Sequence, residues 1–170
     1  LHTRPDKFAG SRNPLQVGAE LYGYDGIESD AEIVCLMADV LKLASRERIT
    51  VEIGHMGLFK ALIETAGLDV DAADKLLDAL LRKDAGEVHG CLDENAVDAL
   101  ARMHLVAVLE VNGGIEVLDS AATRLAGAPA VVGQAVAALQ DLVEVLRGRV
   151  PDVEIHVELA ELRGYRYHTG

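Results

Sequence analysis

The chain has 170 residues, half of which are hydrophobic, and a formal net charge of −12 at pH 7. This composition supports a buried core in one domain, or in a core with a small insertion, and excludes the class of disordered chains with low hydropathy. The excess of carboxylates repels phosphate backbones, so the sequence predicts no broad nucleic-acid binding. The two cysteines, Cys35 and Cys91, form no CxxC motif, which indicates neither a disulfide framework nor a zinc site and suits a reducing cytosol.

Neither a membrane span nor an export leader is evident in the sequence. No apolar run reaches the roughly 18 residues that a membrane helix needs, and no charged, apolar leader opens the chain. We therefore predict a cytoplasmic protein without a membrane partner. Because the chain begins with Leu1 and ends at Gly170, directly after its most informative segment, we interpret it as a fragment.

Strand and helix patterns alternate in the first third of the chain. Residues 15–22 alternate between apolar and polar side chains, which predicts a strand. Ser29 or Asp30 is the expected N-cap of a helix over residues 30–44, whose apolar side chains recur at helical spacing. The β-branched residues within 49–55 then predict a second strand.

The rest of the chain is mostly helical until its end. Between residues 58 and 127 nearly every segment has helical spacing, and glycines separate the segments. A longer helix is expected over residues 130–147, and the alternation of residues 153–159 predicts a third strand with one apolar and one polar face. Strands near both ends with helices between them indicate an α+β fold whose sheet is assembled from distant segments.

The polar face of the first predicted strand is one candidate binding surface. Gln16 and Glu20 would lie roughly 13 Å apart along that face, and Gly18 between them has no side chain. A glycine in a strand can mark the close approach of a ligand, and a carboxylate suits an ammonium group. The alternative is that Gln16 and Glu20 face solvent and that Gly18 marks a bulge.

The last nine residues, LRGYRYHTG, are a second candidate. Arg163 follows the third predicted strand and offers a planar fork that suits a carboxylate or a phosphate. Tyr165, Tyr167 and His168 would line a pocket for a small polar ring. The alternative is a loop that packs these aromatic rings over the edge of the sheet.

The remaining titratable groups have simpler interpretations. His55 ends a predicted strand and His104 lies on an apolar helical stretch, so both are expected to be structural, and Cys35 is expected to be a buried thiol. The sequence shows no metal site, no Ser-His-Asp triad and no phosphate-binding loop. We therefore predict no cofactor.

Two motifs together resemble one family. The segment SRNPLQVGAELYG is similar to the end of motif 2 in the catalytic domain of histidyl-tRNA synthetases and of their paralogues, the regulatory subunits of ATP phosphoribosyltransferase, and LRGYRYHTG resembles the histidine-specific signature of the same group. The resemblance implies a class II synthetase-like antiparallel sheet with flanking helices and a helical insertion. It places residues 1–57 and 128–170 in the synthetase-like core and residues 58–127 in the insertion.

The details of both motifs favour the paralogue over the synthetase. In the synthetase an arginine that grips the ATP α-phosphate stands at the position of Leu1, and a glutamate stands at Thr3. Arg166 and His168 likewise replace an aspartate and a tyrosine of the synthetase signature. These departures disfavour adenylate formation and imply a chain without enzymatic activity.

The resemblance also implies a partner, an effector and a set of binding residues. The regulatory subunits activate a short-form catalytic subunit of ATP phosphoribosyltransferase in the first step of histidine biosynthesis and confer feedback by L-histidine, as homodimers within a hetero-oligomer. The implied histidine-binding residues are Gln16, Glu20, Arg163, Tyr167 and His168, and the implied supporting residues are Gly18, Gly164 and Tyr165. One alternative is the catalytic-core fragment of a histidyl-tRNA synthetase, and another is an unrelated helical interaction module.

Overall fold

A computed structural model of the chain describes residues 17–163. This part contains helices α1 to α7 and strands β1 to β3. In chain order they are α1 (Ile27–Ala44), β1 (Thr50–Ile53), α2 (Met56–Ala66), α3 (Val70–Leu81), α4 (Ala85–Glu94), α5 (Ala99–Glu110), β2 (Asn112–Gly113), α6 (Val117–Arg124), α7 (Ala130–Arg149) and β3 (Glu154–Glu158).

The predicted succession of helices between residues 58 and 127 is confirmed, and local capping explains its divisions. Asp69, Asp84 and Asp98 are the N-caps of α3, α4 and α5, and each carboxylate accepts a hydrogen bond from a backbone N–H in the first turn. Gly67 ends α2 in the left-handed conformation, with φ 66°, which costs glycine least. The division into a core and an insertion at these residues stays a prediction.

The first helix begins earlier than its expected N-cap. Gly26 is the N-cap of α1, and its backbone is extended. Ser29 lies inside the first turn, where its hydroxyl donates to the carbonyl oxygens of Gly26, at 2.7 Å, and of Tyr24, at 3.3 Å. A serine whose hydroxyl back-bonds to carbonyls leaves the free N–H groups of the helix end without a side-chain acceptor, so neither Ser29 nor Asp30 is the cap.

The sheet is assembled from distant segments, as predicted. Its strand order is β1-β3-β2; β1 and β3 are parallel, with Thr50 opposite Glu154, and β2 is antiparallel to β3. Within residues 17–163 the sheet is therefore mixed, whereas the resemblance implied an antiparallel one. The apolar face predicted for the third strand is buried, because it packs on the helices.

The strand predicted over residues 15–22 is not formed by its described part. Residues 17–22 have no regular secondary structure and are exposed; Val17, for example, is 90% exposed. Alternating side chains favour a strand only where a neighbouring strand supplies hydrogen-bond partners, and none pairs with these residues in the part of the chain that the structure describes.

One buried core runs through the fold and leaves part of α1 uncovered. Helix α7 packs on α1, α2 and α6, and α1 contributes Ala31 and Ala38 to the core. The opposite stripe of α1 remains 41–46% exposed, although it is apolar; it consists of Leu36, Met37, Val40 and Leu41. None of the helices in residues 17–163 combines the length and the apolar composition that a membrane crossing requires.

The structure shows how deeply His104 and Cys35 are buried. His104 on α5 is 1% exposed, and its Nε2 lies 3.1 Å from the carbonyl oxygen of Ala126, which confirms its structural role. Cys35 packs against the core from α1 but is only half-buried.

Candidate functional site

A cleft of about 960 Å³ opens where the chain leaves two parallel strands. His55 follows β1, and Glu161 and Arg163 follow β3, so the parallel pairing brings all three to one edge of the sheet. Ligands of sheets with parallel strands commonly bind outside the carboxyl ends of those strands. Asp25, Asp30 from the first turn of α1 and Glu52 from β1 add further carboxylates to the lining.

The other walls of the cleft are apolar or aromatic. Residues 21–25, which precede α1, contribute Tyr22 and Tyr24, and α7 contributes Leu139 and Leu142. The cleft therefore combines apolar surface with convergent groups of both charges. That combination suits a small ligand that carries both an acidic and a basic group.

The guanidinium of Arg163 is held at the mouth of this cleft by carboxylates. Its Nε lies 2.8 Å and 2.9 Å from the two carboxylate oxygens of Glu161, and its Nη2 lies 3.5 Å from Oε2 of Glu52. The hydrogen bond between Arg163 and Glu161 raises the pKa of the arginine and lowers the pKa of the glutamate. Glu161 thus fixes the orientation of the positive group that sequence reasoning singled out.

The imidazole of His55 has a structural task and also faces the cleft. It is the N-cap of α2, and its Nδ1 accepts a hydrogen bond from the N–H of Gly57 at 3.1 Å. Burial lowers the pKa of His55, and the charge of Asp30 opposes that shift. Burial also raises the pKa of Asp30, and the nearby His55 opposes that shift.

An ion pair with a buried carboxylate and an exposed lysine lies at the end of β3, three residues before Glu161. Glu158 is 2% exposed, and its Oε2 accepts a hydrogen bond from Nζ of Lys83, at the end of α3, at 2.5 Å. Its other carboxylate oxygen, Oε1, is buried without a hydrogen-bond partner among residues 17–163. The hydrogen bond to Glu158 raises the pKa of Lys83, and the charges of Glu52 and Glu161 add to that effect.

Of the predicted binding residues, only part falls within the described chain. Arg163 lines the cleft. Gln16, Gly164, Tyr165, Tyr167 and His168 lie outside the described residues, so their roles stay predictions.

The two described residues of the other predicted surface lie outside the cleft lining. Gly18 and Glu20 belong to the exposed segment before α1, and Glu20 accepts a hydrogen bond from the hydroxyl of Tyr22, whose ring does line the cleft. No atom lies within 4 Å of the position that a Cβ of Gly18 would occupy. The trough predicted at Gly18 depends on a strand that residues 17–22 do not form, so a joint site with Arg163 stays a prediction.

The cleft residues that were not expected from the sequence as ligand-facing groups include Asp30, Glu52 and His55. Glu52 alternates with the buried residues of β1, and this alternation in the sequence indicates that the strand has a polar face. Asp30 and His55 meet there through tertiary packing, for which the sequence carries no local signal. No group of histidine, cysteine and acidic side chains suited to a metal ion occurs within residues 17–163.

The family model described as histidyl-tRNA synthetase matches residues 1–170. The chain belongs to the histidyl-tRNA synthetase family. Both quoted motifs lie within the match, so the predicted family resemblance is confirmed.

Curated relatives of this histidyl-tRNA synthetase family member carry a more specific name. Over all 170 residues the chain is 45% identical to the ATP phosphoribosyltransferase regulatory subunit of Alkalilimnicola ehrlichii and 39% identical to that of Pseudomonas aeruginosa. These 170 residues correspond to 42% and 43% of the two relatives. The chain therefore spans less than half the length of the curated relatives it matches.

Two solved structures share the fold of this family member. One is an ATP phosphoribosyltransferase regulatory subunit/histidyl-tRNA synthetase from Bacillus halodurans, with a TM-score of 0.75 and 24% identity over 87% of this chain and 38% of that one. The other is a chain of the ATP phosphoribosyl transferase (HisG:HisZ) complex from Thermotoga maritima, with a TM-score of 0.65 and 17% identity over 86% of this chain and 50% of that one. The predicted α+β, class II synthetase-like fold is thus confirmed.

Proposed function

We propose that this chain is part of a non-catalytic regulatory subunit of the short-form ATP phosphoribosyltransferase. In this role it activates the catalytic subunit and makes the first step of histidine biosynthesis sensitive to L-histidine. The observation that carries the proposal is the identity of 39–45% to proteins of that name over the whole chain. The likeness to a chain of the HisG:HisZ complex supports the same partner.

The cleft next to Arg163 is the proposed place for the effector. L-Histidine carries a carboxylate, an ammonium group and an imidazole, and the cleft offers donors at Arg163 and His55 and acceptors at Asp30 and Glu52. Its walls also supply apolar surface against which an imidazole packs. Gln16, Glu20, Tyr167 and His168 are proposed to add further contacts, as the family motifs imply.

Regulation requires that L-histidine bind two assembly states with different affinity. We propose that the subunit works in the cytoplasm as a homodimer within a hetero-oligomer, together with the catalytic subunits. An effector that favours the less active assembly lowers the rate, and the coupling is reciprocal, so the catalytic subunit changes the affinity for L-histidine by the same factor.

The competing function is amino-acid activation by a histidyl-tRNA synthetase core. Leu1 and Thr3 replace the residues that grip and orient ATP in that enzyme, and this supports the regulatory role. The family match by itself is compatible with both functions.

Calorimetric titration of the full-length subunit with L-histidine, alone and with ATP, distinguishes the two. We expect binding of L-histidine without adenylate formation, and binding at least tenfold weaker in Arg163→Ala, because a charge-assisted hydrogen bond contributes about 1.5–3 kcal/mol. Glu20→Ala is expected to weaken binding as well.

Arg48→Ala is the matched control for the arginine variant. Arg48 is also exposed but does not line the cleft, and its nearest carboxylate, on Glu154, is 3.8 Å away. Its removal is expected to leave the affinity unchanged. Adenylate formation would assign the chain to the synthetases, and a failure to activate the catalytic subunit would contradict the proposed role.

A further inference from the structure

The hydrogen bond that caps α2 determines the tautomer of His55. Nδ1 accepts from the N–H of Gly57 at 3.1 Å. In a neutral imidazole one nitrogen accepts and the other carries the proton, so the proton of neutral His55 lies on Nε2. The cap therefore makes the distal nitrogen of this side chain a hydrogen-bond donor.

The environment keeps this donor neutral near pH 7. Burial lowers the pKa of His55 below its usual 6.5, and the opposing influence of Asp30 is smaller. A neutral N–H group can approach a carboxylate without bringing a second full charge into a cleft that already holds Arg163. The orientation of the imidazole ring, and with it of the N–H group at Nε2, is set by the helix cap.

The donor at Nε2 is available to a ligand. His55 is half-buried and lines the cleft, and within residues 17–163 its Nε2 has no hydrogen-bond partner. The side chain thus has one nitrogen committed to the fold and one without a hydrogen-bond partner among the described residues.

Two features bear on which ligand atom this donor meets. Helix α2 has 11 residues and no acidic side chain in its own first turn, so the positive end of its dipole favours an anionic group near its N-terminus. Arg163 has already engaged Nε and Nη2 with carboxylates, which leaves it with an incomplete fork for a carboxylate ligand. A second donor in the cleft would complete the recognition of a carboxylate, and His55 offers one at Nε2.

We propose that His55 donates a hydrogen bond from Nε2 to the carboxylate of the amino acid that binds in the cleft. It thereby shares with Arg163 the recognition of that group and helps to distinguish an amino acid from its decarboxylated or reduced analogues. The inference rests on the proposed function, in which the ligand is L-histidine.

The variant His55→Asn separates the two tasks of this residue. Asparagine is a good N-cap, and its Oδ1 can accept from the N–H of Gly57 in place of Nδ1. Its side chain is too short to present a donor at the position of Nε2. The cap is retained and the ligand contact is lost.

The test is calorimetric titration of the full-length subunit and of His55→Asn with two ligands: L-histidine, and L-histidinol, which has an alcohol in place of the carboxylate. We expect the substitution to weaken L-histidine binding about tenfold or more, as the loss of one hydrogen bond to a charged group does. The affinity for L-histidinol should change less than about twofold. His89→Asn, an exposed histidine on α4, is the control that should alter neither affinity.

The outcomes separate the inference from the proposed function. Equal weakening of both ligands, or unchanged binding of L-histidine, would overturn the role of His55 while leaving the effector site in place. A wild-type subunit that binds no L-histidine would overturn the proposed function and this assignment with it. Nitrogen-15 NMR offers a ligand-free check, since a neutral ring that carries its proton on Nδ1 would contradict the inference directly.

Discussion

At the scale of single residues, Gly54 governs how closely the two halves of the cleft approach each other. It links β1 to His55, and the turn that leads to Arg163 packs directly against it. A Cβ at this position would lie 2.7 Å from the backbone carbonyl oxygens of both Glu158 and Glu161. Because backbone atoms cannot rotate away as a flexible side chain can, glycine is required here for steric reasons.

Gly54→Ala is therefore expected to lower the free energy of unfolding by about 1–3 kcal/mol, as overpacking does. Urea unfolding measures this change. Gly133→Ala is the control, since Gly133 lies within α7 and no atom occupies the space that its Cβ would take. That variant should be more stable than the wild type by about 0.5–1 kcal/mol. Equal effects of the two substitutions would show that the contact at Gly54 is not tight.

The pair formed by Glu161 and Arg163 predicts a pH dependence of stability. The pKa of Glu161 is lowered from its ordinary 4.5, chiefly by the hydrogen bond from Arg163. A carboxyl with a lowered pKa in the folded state stabilises the fold above its unfolded pKa, and this contribution is lost as the pH falls through the folded pKa.

Glu161→Gln should thus be less stable than the wild type at pH 7, by less than about 1 kcal/mol because Arg163 is mostly exposed. The difference should shrink as the pH is lowered below about 4.5. Urea unfolding of both proteins at a series of pH values measures this difference in stability. Glu110→Gln, which breaks the exposed pair of Glu110 with Arg124, is the control for the loss of a surface charge. A difference that does not depend on pH would contradict the interpretation.

At the scale of elements, one ion pair joins the helical part of the chain to the central strand. Lys83 follows the C-cap of α3, adopts a positive φ of 55° and reaches Glu158 at the end of β3. The carboxylate is buried while the ammonium group is partly exposed. Removing the lysine would leave the buried carboxylate without a hydrogen-bond partner among the described residues, which is costly.

Lys83→Met is expected to lower the free energy of unfolding by about 1–3 kcal/mol. The double variant Lys83→Met/Glu158→Leu should recover most of that loss, because it leaves no unpaired charge in the interior. Lys42→Met is the matched control: its partner Asp152 is 64% exposed, and its cost should stay below about 1 kcal/mol. Thermal or urea unfolding compares the three, and a double variant less stable than Lys83→Met would contradict the argument.

The same scale shows which elements a sequence can predict. The helices between residues 58 and 127 depend on nearby signals, such as the capping carboxylates of Asp69 and Asp98, and they form where those signals indicate. The alternating segments 15–22 and 153–159 look equally strand-like. The second has strands on both sides, whereas the first has no partner within the described chain. Pairing is a tertiary property, so the pattern alone does not separate the two cases.

Likewise, only part of the candidate site could be predicted from the sequence. Arg163 could be singled out because an arginine after a strand, in a motif with glycine and aromatic residues, is unusual in an aliphatic chain. The proximity of His55 to Arg163 could not be predicted from the sequence, because it follows from the parallel pairing of β1 with β3. Glu158 lies at a polar-face position of the third predicted strand, yet it is only 2% exposed and pairs with Lys83.

At the scale of the whole molecule, charge and apolar surface are distributed unequally. The chain is strongly acidic, with a net charge of −12, while the stripe of Leu36, Met37, Val40 and Leu41 on α1 is apolar and exposed. The matching stretch is less than half of the curated relatives. Tests of the proposed assembly and feedback therefore need the full-length protein.

The position of β3 in the chain affects how the protein folds during synthesis. It is the central strand of the described sheet and the last of the described elements in chain order, and β1 precedes it by about a hundred residues. At a synthesis rate of roughly 5–20 residues per second, β1 leaves the ribosome roughly 5–20 s before its partner exists. The helices in between can form from local contacts during that interval, whereas the sheet cannot. Among the described elements, the sheet and the cleft at its edge are thus the last to form, and until β3 is made the edge of β1 lacks its strand partner.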